Sequence, residues 1–257
     1  MSTRFRDVLA AGDLVRIFVL GRLVHPVIID MFGLAGGFHG FWLDQEHCGL
    51  TYEQVQLASV CARANNFDCI VRMAPSDYAL VTQNLEAGAG GVMAAQITSA
   101  EHAEQFVRWA KFAPRGCRGM NNAGRDADYT HKPQDKFAAE SNRDHFLAIQ
   151  IETLGALEQA DEIAAIDGVD LLFVGPSDLS QAMGLLGQFN HPKLHEGLDR
   201  VAAACRRHGK HWGTVAPTKE YTQMCYDKGC RMLSLGADVV AVRQGIEVAK
   251  TNFRNLF

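Results

Sequence analysis

Eight short runs of β-forming, almost unbroken apolar residues recur along the chain, and stretches with helical periodicity separate them. They are RIFVLG (16–21), GFWLD (40–44), CIVRM (69–73), GVMAA (91–95), FLAIQIE (146–152), DLLFVG (170–175), HWGTV (211–215) and RMLSLG (231–236). A strand with one wet face alternates apolar and polar residues. A strand covered on both faces does not, and parallel sheets flanked by helices are where such strands occur. Among the separating stretches, TYEQVQLASVCARANN (51–66) places Val55, Leu57, Val60 and Cys61 on an expected stripe, with Thr51 as N-cap. SDYALVTQNLEAG (76–88) starts on a capping serine and stops on a glycine. The stretches 99–112, 154–166 and 192–209 follow the same pattern. Eight strands alternating with helices predict one α/β domain over 1–257, a (β/α)8 TIM barrel. An open doubly wound sheet is the competitor, but its Gly-rich first turn is missing from LGRLVHP (20–26). The polar stretch 119–145 is expected to be an active-site lid or an oligomer contact.

At 47% apolar and 21% charged residues the chain has the material for a full core. A net charge of −4 gives no basic footprint for nucleic acid or for a membrane surface. The seven cysteines are odd in number and form no CxxC pair, so reduced thiols in the cytoplasm are expected. The opening MSTRFRDVLAAGDLVR has no signal-like apolar core, and no 18-residue apolar run occurs.

The ends of the strands carry the chemistry. In a barrel the loops after the strands open onto one rim, and FWLDQEHCGL (41–50) ends there on Asp44, Glu46 and His47. The third strand brings Arg72, the fifth Gln150 and Glu152, and the sixth Gly175, Ser177 and Asp178. Surface accidents would not select the same end four times. Glu152 and Asp178 are two hard oxygen ligands, without a Cys or multiple-His cluster beside them. Such a pair suits Mg²⁺ or Mn²⁺ with several waters. Taken singly, Asp178 is also a good helix cap in SDLS, and Arg72 could serve a structural partner. Arg72 offers bidentate donors to a carboxylate or a developing oxyanion, and His47 is the natural general base. Cys48 would point away from His47 on an extended chain. No lysine ends a core strand, which argues against Schiff-base chemistry.

LDQEHCGLT, VRMAP, PRGCRG, QIET and VGPSDLS, in this order, resemble the HpcH/HpaI class II pyruvate aldolases from about residue 15 to 250. The resemblance implies cleavage of a 4-hydroxy-2-oxo acid to pyruvate, or a related 2-oxo acid, and an aldehyde through a metal-stabilised enolate. It implies Glu152 and Asp178 as ligands of a divalent metal, Mg²⁺ or Mn²⁺ first and Co²⁺ or Zn²⁺ next. Arg72 would contact the enolate oxygen, and Gln150 would lie beside the pyruvyl group. The N–H groups of Ser177 and Asp178, after Gly175, would hold the carboxylate at a helix N-terminus. His47 would be the base, acting through metal-held water with Asp44 orienting it. Glu86, just before the fourth strand, would partner the histidine of a neighbouring subunit. The last helix, within 236–257, would be exchanged between subunits of a homohexamer, a trimer of dimers. Three positions depart from the family pattern: His39, Gln45 and Ala94 or Ala95. Two other readings stay open. One is a citrate or malyl-CoA lyase relative, although no basic cluster for CoA phosphates stands near the motifs. The other is a non-catalytic barrel that binds an oxoacid.

Overall fold

The computed structural model describes residues 4–256. Eight strands run β1 Val15–Leu20, β2 Gly40–Asp44, β3 Asp68–Met73, β4 Gly91–Ala94, β5 Phe146–Ile151, β6 Leu171–Val174, β7 His211–Val215 and β8 Met232–Ala237. They close in sequence order, and every neighbouring pair is parallel. All eight expected strands are present, with ends shifted by a residue or two.

The strands read as continuously apolar because two cores share them. Val15, Ile17, Trp42, Ile70, Met93, Phe146, Leu171, Phe173 and Met232 pack together as one cluster. Their alternates, including Phe41, Leu43, Val71, Val92, Leu147 and Leu172, join the larger cluster formed with the surrounding helices. A short helix, Phe5–Ala10, joins the first cluster at the strand-start end. Phe5 sets its ring edge-on to Phe146 at 5.9 Å and donates its N–H to Asp68 Oδ2.

Local signals place the helices. Thr51 and Gln54 form a reciprocal capping box at the start of Tyr52–Ala64. The buried stripe of this helix differs from the expected one. Val55, Ala58, Ser59 and Ala62 face the barrel, while Leu57 and Val60 are exposed. Positions i, i+3, i+4 and i+7 share a face, and the small residues there let the helix lie close to the sheet. The stretch 154–166 is two helices, Leu154–Glu158 and Ala160–Ala165, interrupted at Gln159.

Two outer segments matter for function. The stretch 119–145 contains a 3-10 turn, Arg125–Ala127, and a helix, Gln134–Asp144. They pack by a small core of Phe112, Ala127 and Phe137 and by the buried Arg118–Asp126 ion pair at 2.6 Å. His145, at the end of this stretch, accepts from Arg6 and Lys111 at the start of β5. The turn and helix therefore lie at the strand-start face, so they form no lid over their own rim. The final helix, Asp238–Asn252, buries only its first residue. Val239, Val242, Ile246, Val248 and Phe253 are all exposed. Among the described residues no helix is long and apolar enough to cross a membrane.

Candidate active site

Asp44 and Arg72 are register partners at the ends of β2 and β3, so opposite charges meet across the sheet. Asp44 takes the guanidinium in a two-point grip, Nε to Oδ1 at 3.2 Å and Nη2 to Oδ2 at 2.8 Å. Arg72 Nη1 lies 3.1 Å from Glu46 Oε2, and the guanidinium carbon sits 4.5 Å from the centre of the Trp42 ring. Both Asp44 and Arg72 are buried. The bidentate face expected to greet substrate is therefore committed to Asp44.

Asp44 meets His47 through the backbone rather than through the ring. Its Oδ1 accepts the backbone N–H groups of Glu46 and His47, and the carboxylate makes no contact with the imidazole. The nearer carboxylate to the imidazole is Glu46, whose Oε2 is 3.8 Å from His47 Nε2. The His47 side chain is 60% exposed, open to whatever approaches the rim. The chain after Asp44 is a turn rather than an extended strand, and it brings Cys48 Sγ within 3.6 Å of Asp44 Oδ2.

Across the rim, Glu152 is almost fully buried. Its Oε1 accepts from the backbone N–H of Gln96 at 2.8 Å and from Gln96 Nε2 at 3.1 Å. Its Oε2 accepts from Gln150 Nε2. Burial pushes the Glu152 carboxyl up to about 7, and the charges of Glu46 and Asp178 add to that against the Gln96 N–H and Arg72. Gln150 Oε1 is buried with no hydrogen-bond partner among the described residues. Gly175 closes this corner. A Cβ there would stand 2.6 Å from Glu152 Oε2 and 2.8 Å from Gln150 Nε2. Asp178 is half-buried in the first turn of the helix Pro176–Ala182. Pro176 has no N–H, and the first intrahelical bond of this turn runs from Leu179 to Gly175. Ser177 and Asp178 therefore present N–H groups that the helix leaves unmatched. Two mutually repelling carboxylates beside an unpartnered amide oxygen are a donor set that fits a hard divalent cation.

Glu86 is not brought to this rim. It ends the helix Tyr78–Glu86, which feeds the start of β4, and it accepts from Asn121 Nδ2 at 2.9 Å. A cavity of about 430 Å³ also lies at that far face, between Arg63, Asp68, Asp128, Lys132 and Glu140. Its charges largely pair with one another, as in Arg63–Asp128 and Lys132–Glu140, and it is remote from the strand ends.

The three departures separate. His39 precedes β2 and accepts the Arg16 N–H at the strand-start end, away from the rim. Gln45 donates to Leu50 O and accepts from Asn84, lacing the loop after β2 to the helix Tyr78–Glu86. Ala95 donates its N–H to Met73 O at 2.8 Å, a bond proline could not make. Sequence reasoning missed Gln96 and Trp42. Gln96 follows a strand whose end carries no ionisable group, and Trp42 reads as ordinary core.

A parallel barrel with paired carboxylates, a gripped arginine and a histidine on its carboxyl rim fits a lyase of the aldolase class. The chain belongs to the HpcH/HpaI aldolase/citrate lyase family, whose model matches residues 46–245. It is 28% identical over 251 residues to a 5-keto-4-deoxy-D-glucarate aldolase of Klebsiella pneumoniae subsp. pneumoniae, covering 98% of this chain and 96% of the relative. The crystal structure of an HpcH/HpaI aldolase from Desulfitobacterium hafniense DCB-2 superposes with TM-score 0.88 at 30% identity, covering 96% of each chain. An HpcH/HpaI aldolase/citrate lyase family protein from Burkholderia cenocepacia J2315 gives TM-score 0.88 at 25% identity over 97% of this chain and 98% of that one. The chain is a carbon–carbon lyase.

Proposed function

We propose that this enzyme reversibly cleaves a 4-hydroxy-2-oxo acid to pyruvate, or a related 2-oxo acid, and an aldehyde. The observation that carries the reading is the corner formed by Glu152, Gln150, Gly175 and Asp178, facing a guanidinium fixed in advance. Glu152 and Asp178 would hold a divalent cation, Mg²⁺ or Mn²⁺ before Co²⁺ or Zn²⁺. When bound, it supplies a Lewis acid for the enolate that C–C cleavage leaves.

The chain's own residues do the rest. Arg72 sets a positive charge where the oxyanion develops, and Asp44, Glu46 and Trp42 orient it before substrate arrives. Ser177 and Asp178 offer their free N–H groups to the carboxylate of the 2-oxo acid, with Gln150 beside the pyruvyl group. In the cleavage direction His47 takes the proton of the 4-hydroxyl, and Glu46 stabilises the imidazolium that results. The aldehyde departs and the enolate is protonated.

The exposed apolar face of Asp238–Asn252 supports exchange of this helix between copies in a homohexamer, a trimer of dimers. Glu86 would then meet His47 only across subunits. A cytoplasmic location fits the seven free thiols.

The test is turnover of pyruvate with a panel of aldehydes before and after exhaustive chelation. Chelation abolishes activity and Mg²⁺ or Mn²⁺ restores it. Full activity in metal-free protein refutes the reading.

A further inference from the structure

Gln96 stands outside every motif, yet it touches both halves of the site. It follows β4 and Ala95 in left-handed backbone, φ 54°, a conformation side chains other than glycine seldom take. That turn sends two donors of one residue to one oxygen. The backbone N–H reaches Glu152 Oε1 at 2.8 Å, and Nε2 reaches the same atom at 3.1 Å. The second hydrogen of Nε2 faces Glu46 Oε1 at 3.4 Å. The next residues lace the same two loops together, because Thr153 Oγ1 donates to Ile97 O at 2.6 Å.

Glu46 contacts the Arg72 guanidinium at 3.1 Å, and the Gln96 amide stands between Glu46 and Glu152. A buried carboxylate free to turn would move toward that charge, because attraction is strong where water is scarce. Such a collapse would leave Asp178 without a companion. Resting on the proposed reaction, we propose that Gln96 is a positioning residue that holds Glu152 on the β4 side, away from Arg72. It thereby keeps the carboxylate corner open for a divalent cation.

Gln96→Gly is the informative variant. It keeps the backbone N–H, relaxes the left-handed turn and removes the side chain with its amide. Mn²⁺ binding to the metal-stripped full-length protein, followed by isothermal titration, should weaken by about 10–100-fold, the usual effect of losing a residue that orients a metal ligand. Thermal midpoint should hold or rise, since Gln96 is exposed and glycine suits its backbone. Gln96→Asn, which retains an amide and tolerates left-handed backbone, should bind Mn²⁺ more tightly than the glycine variant. Glu152→Gln serves as the reference for a lost ligand. If wild type binds and Glu152→Gln does not, but Gln96→Gly matches wild type, the role of Gln96 is overturned and the reaction stands. If wild-type protein does not bind Mn²⁺ at all, the metal corner and the role of Gln96 fall together.

Discussion

Gly175→Ala isolates the shape of the metal corner from its chemistry. Gly175 has φ −90° and ψ 92°, on the negative-φ side where alanine carries no left-handed penalty. The cost is therefore steric. The new methyl would meet Glu152 Oε2 at 2.6 Å, Gln150 Nε2 at 2.8 Å and Glu152 Cβ at 3.1 Å. Ordinary contact begins at 3.4 Å, so the carboxylate must retreat by about 0.8 Å or the strand end must move. Overpacking of this kind costs roughly 1–3 kcal/mol, read as a fall of about 2–4 °C in Tm per kcal/mol for a chain of this size. The catalytic loss should be larger. Displacement of a reaction-centre group by about 1 Å costs on the order of 10²-fold in rate. The assay is pyruvate release, with Mn²⁺ affinity and Tm measured on the same preparation. Pairing the change with Glu152→Asp, which shortens the clashing side chain, should give a double variant less impaired than the product of the two single effects. A Gly175→Ala enzyme with wild-type rate and wild-type Mn²⁺ affinity would refute the reasoning, because the corner would then tolerate a methyl where no room is seen.

Three further outcomes are expected. His47→Ala should lower aldol cleavage by about 10²–10⁴-fold while any oxaloacetate decarboxylation, which removes no hydroxyl proton, falls much less. Asp178→Ala should abolish both, and equal losses in the two variants would reassign His47 to a structural role. Removing the residues after Gly236 should destroy assembly, and a wild-type protein that sediments as a monomer would sink the exchange of the last helix. His145 is buried, and burial first, then the charges of Arg118 and Lys111, hold its imidazole well below the usual 6.5. The unfolded chain takes up a proton that the fold refuses, so stability should fall as pH drops below about 6.5. His145→Gln should flatten that slope in urea titrations between about pH 5 and 7, and an unchanged slope would exclude this imidazole as its source.

The strands were legible because double-sided burial leaves a mark in one dimension, and the rim was legible because polarity switches on where four of them end. What lay hidden depends on neighbours distant in sequence. Nothing in VRM says that Arg72 will be gripped by Asp44, since that follows from the register of β2 on β3. Gln96 was invisible because its function lies in a backbone angle and in an oxygen 56 residues away. The helical period of 236–257 was apparent, but an amphipathic pattern does not say whose surface it covers. In the folded chain Val239, Ile246 and Phe253 lie bare. The segment 119–145 was marked as a lid or an oligomer contact by its polarity and length, and neither distinguishes one end of a barrel from the other.

Asp238, the only buried residue of the final helix, has a consequence for how the molecule can vary. Its Oδ2 gathers the N–H groups of Gly21, Arg22 and Leu23 at 2.9, 2.8 and 2.7 Å. From that same loop, Arg22 Nη2 donates to the carbonyl of His47 at 3.0 Å. The pivot of the helix and the backbone of the histidine are thus hinged on three consecutive amides. An insertion within 21–23 would break the spacing that lets one oxygen serve all three. A change in the angle at which the helix departs would reach the same loop that holds the His47 carbonyl.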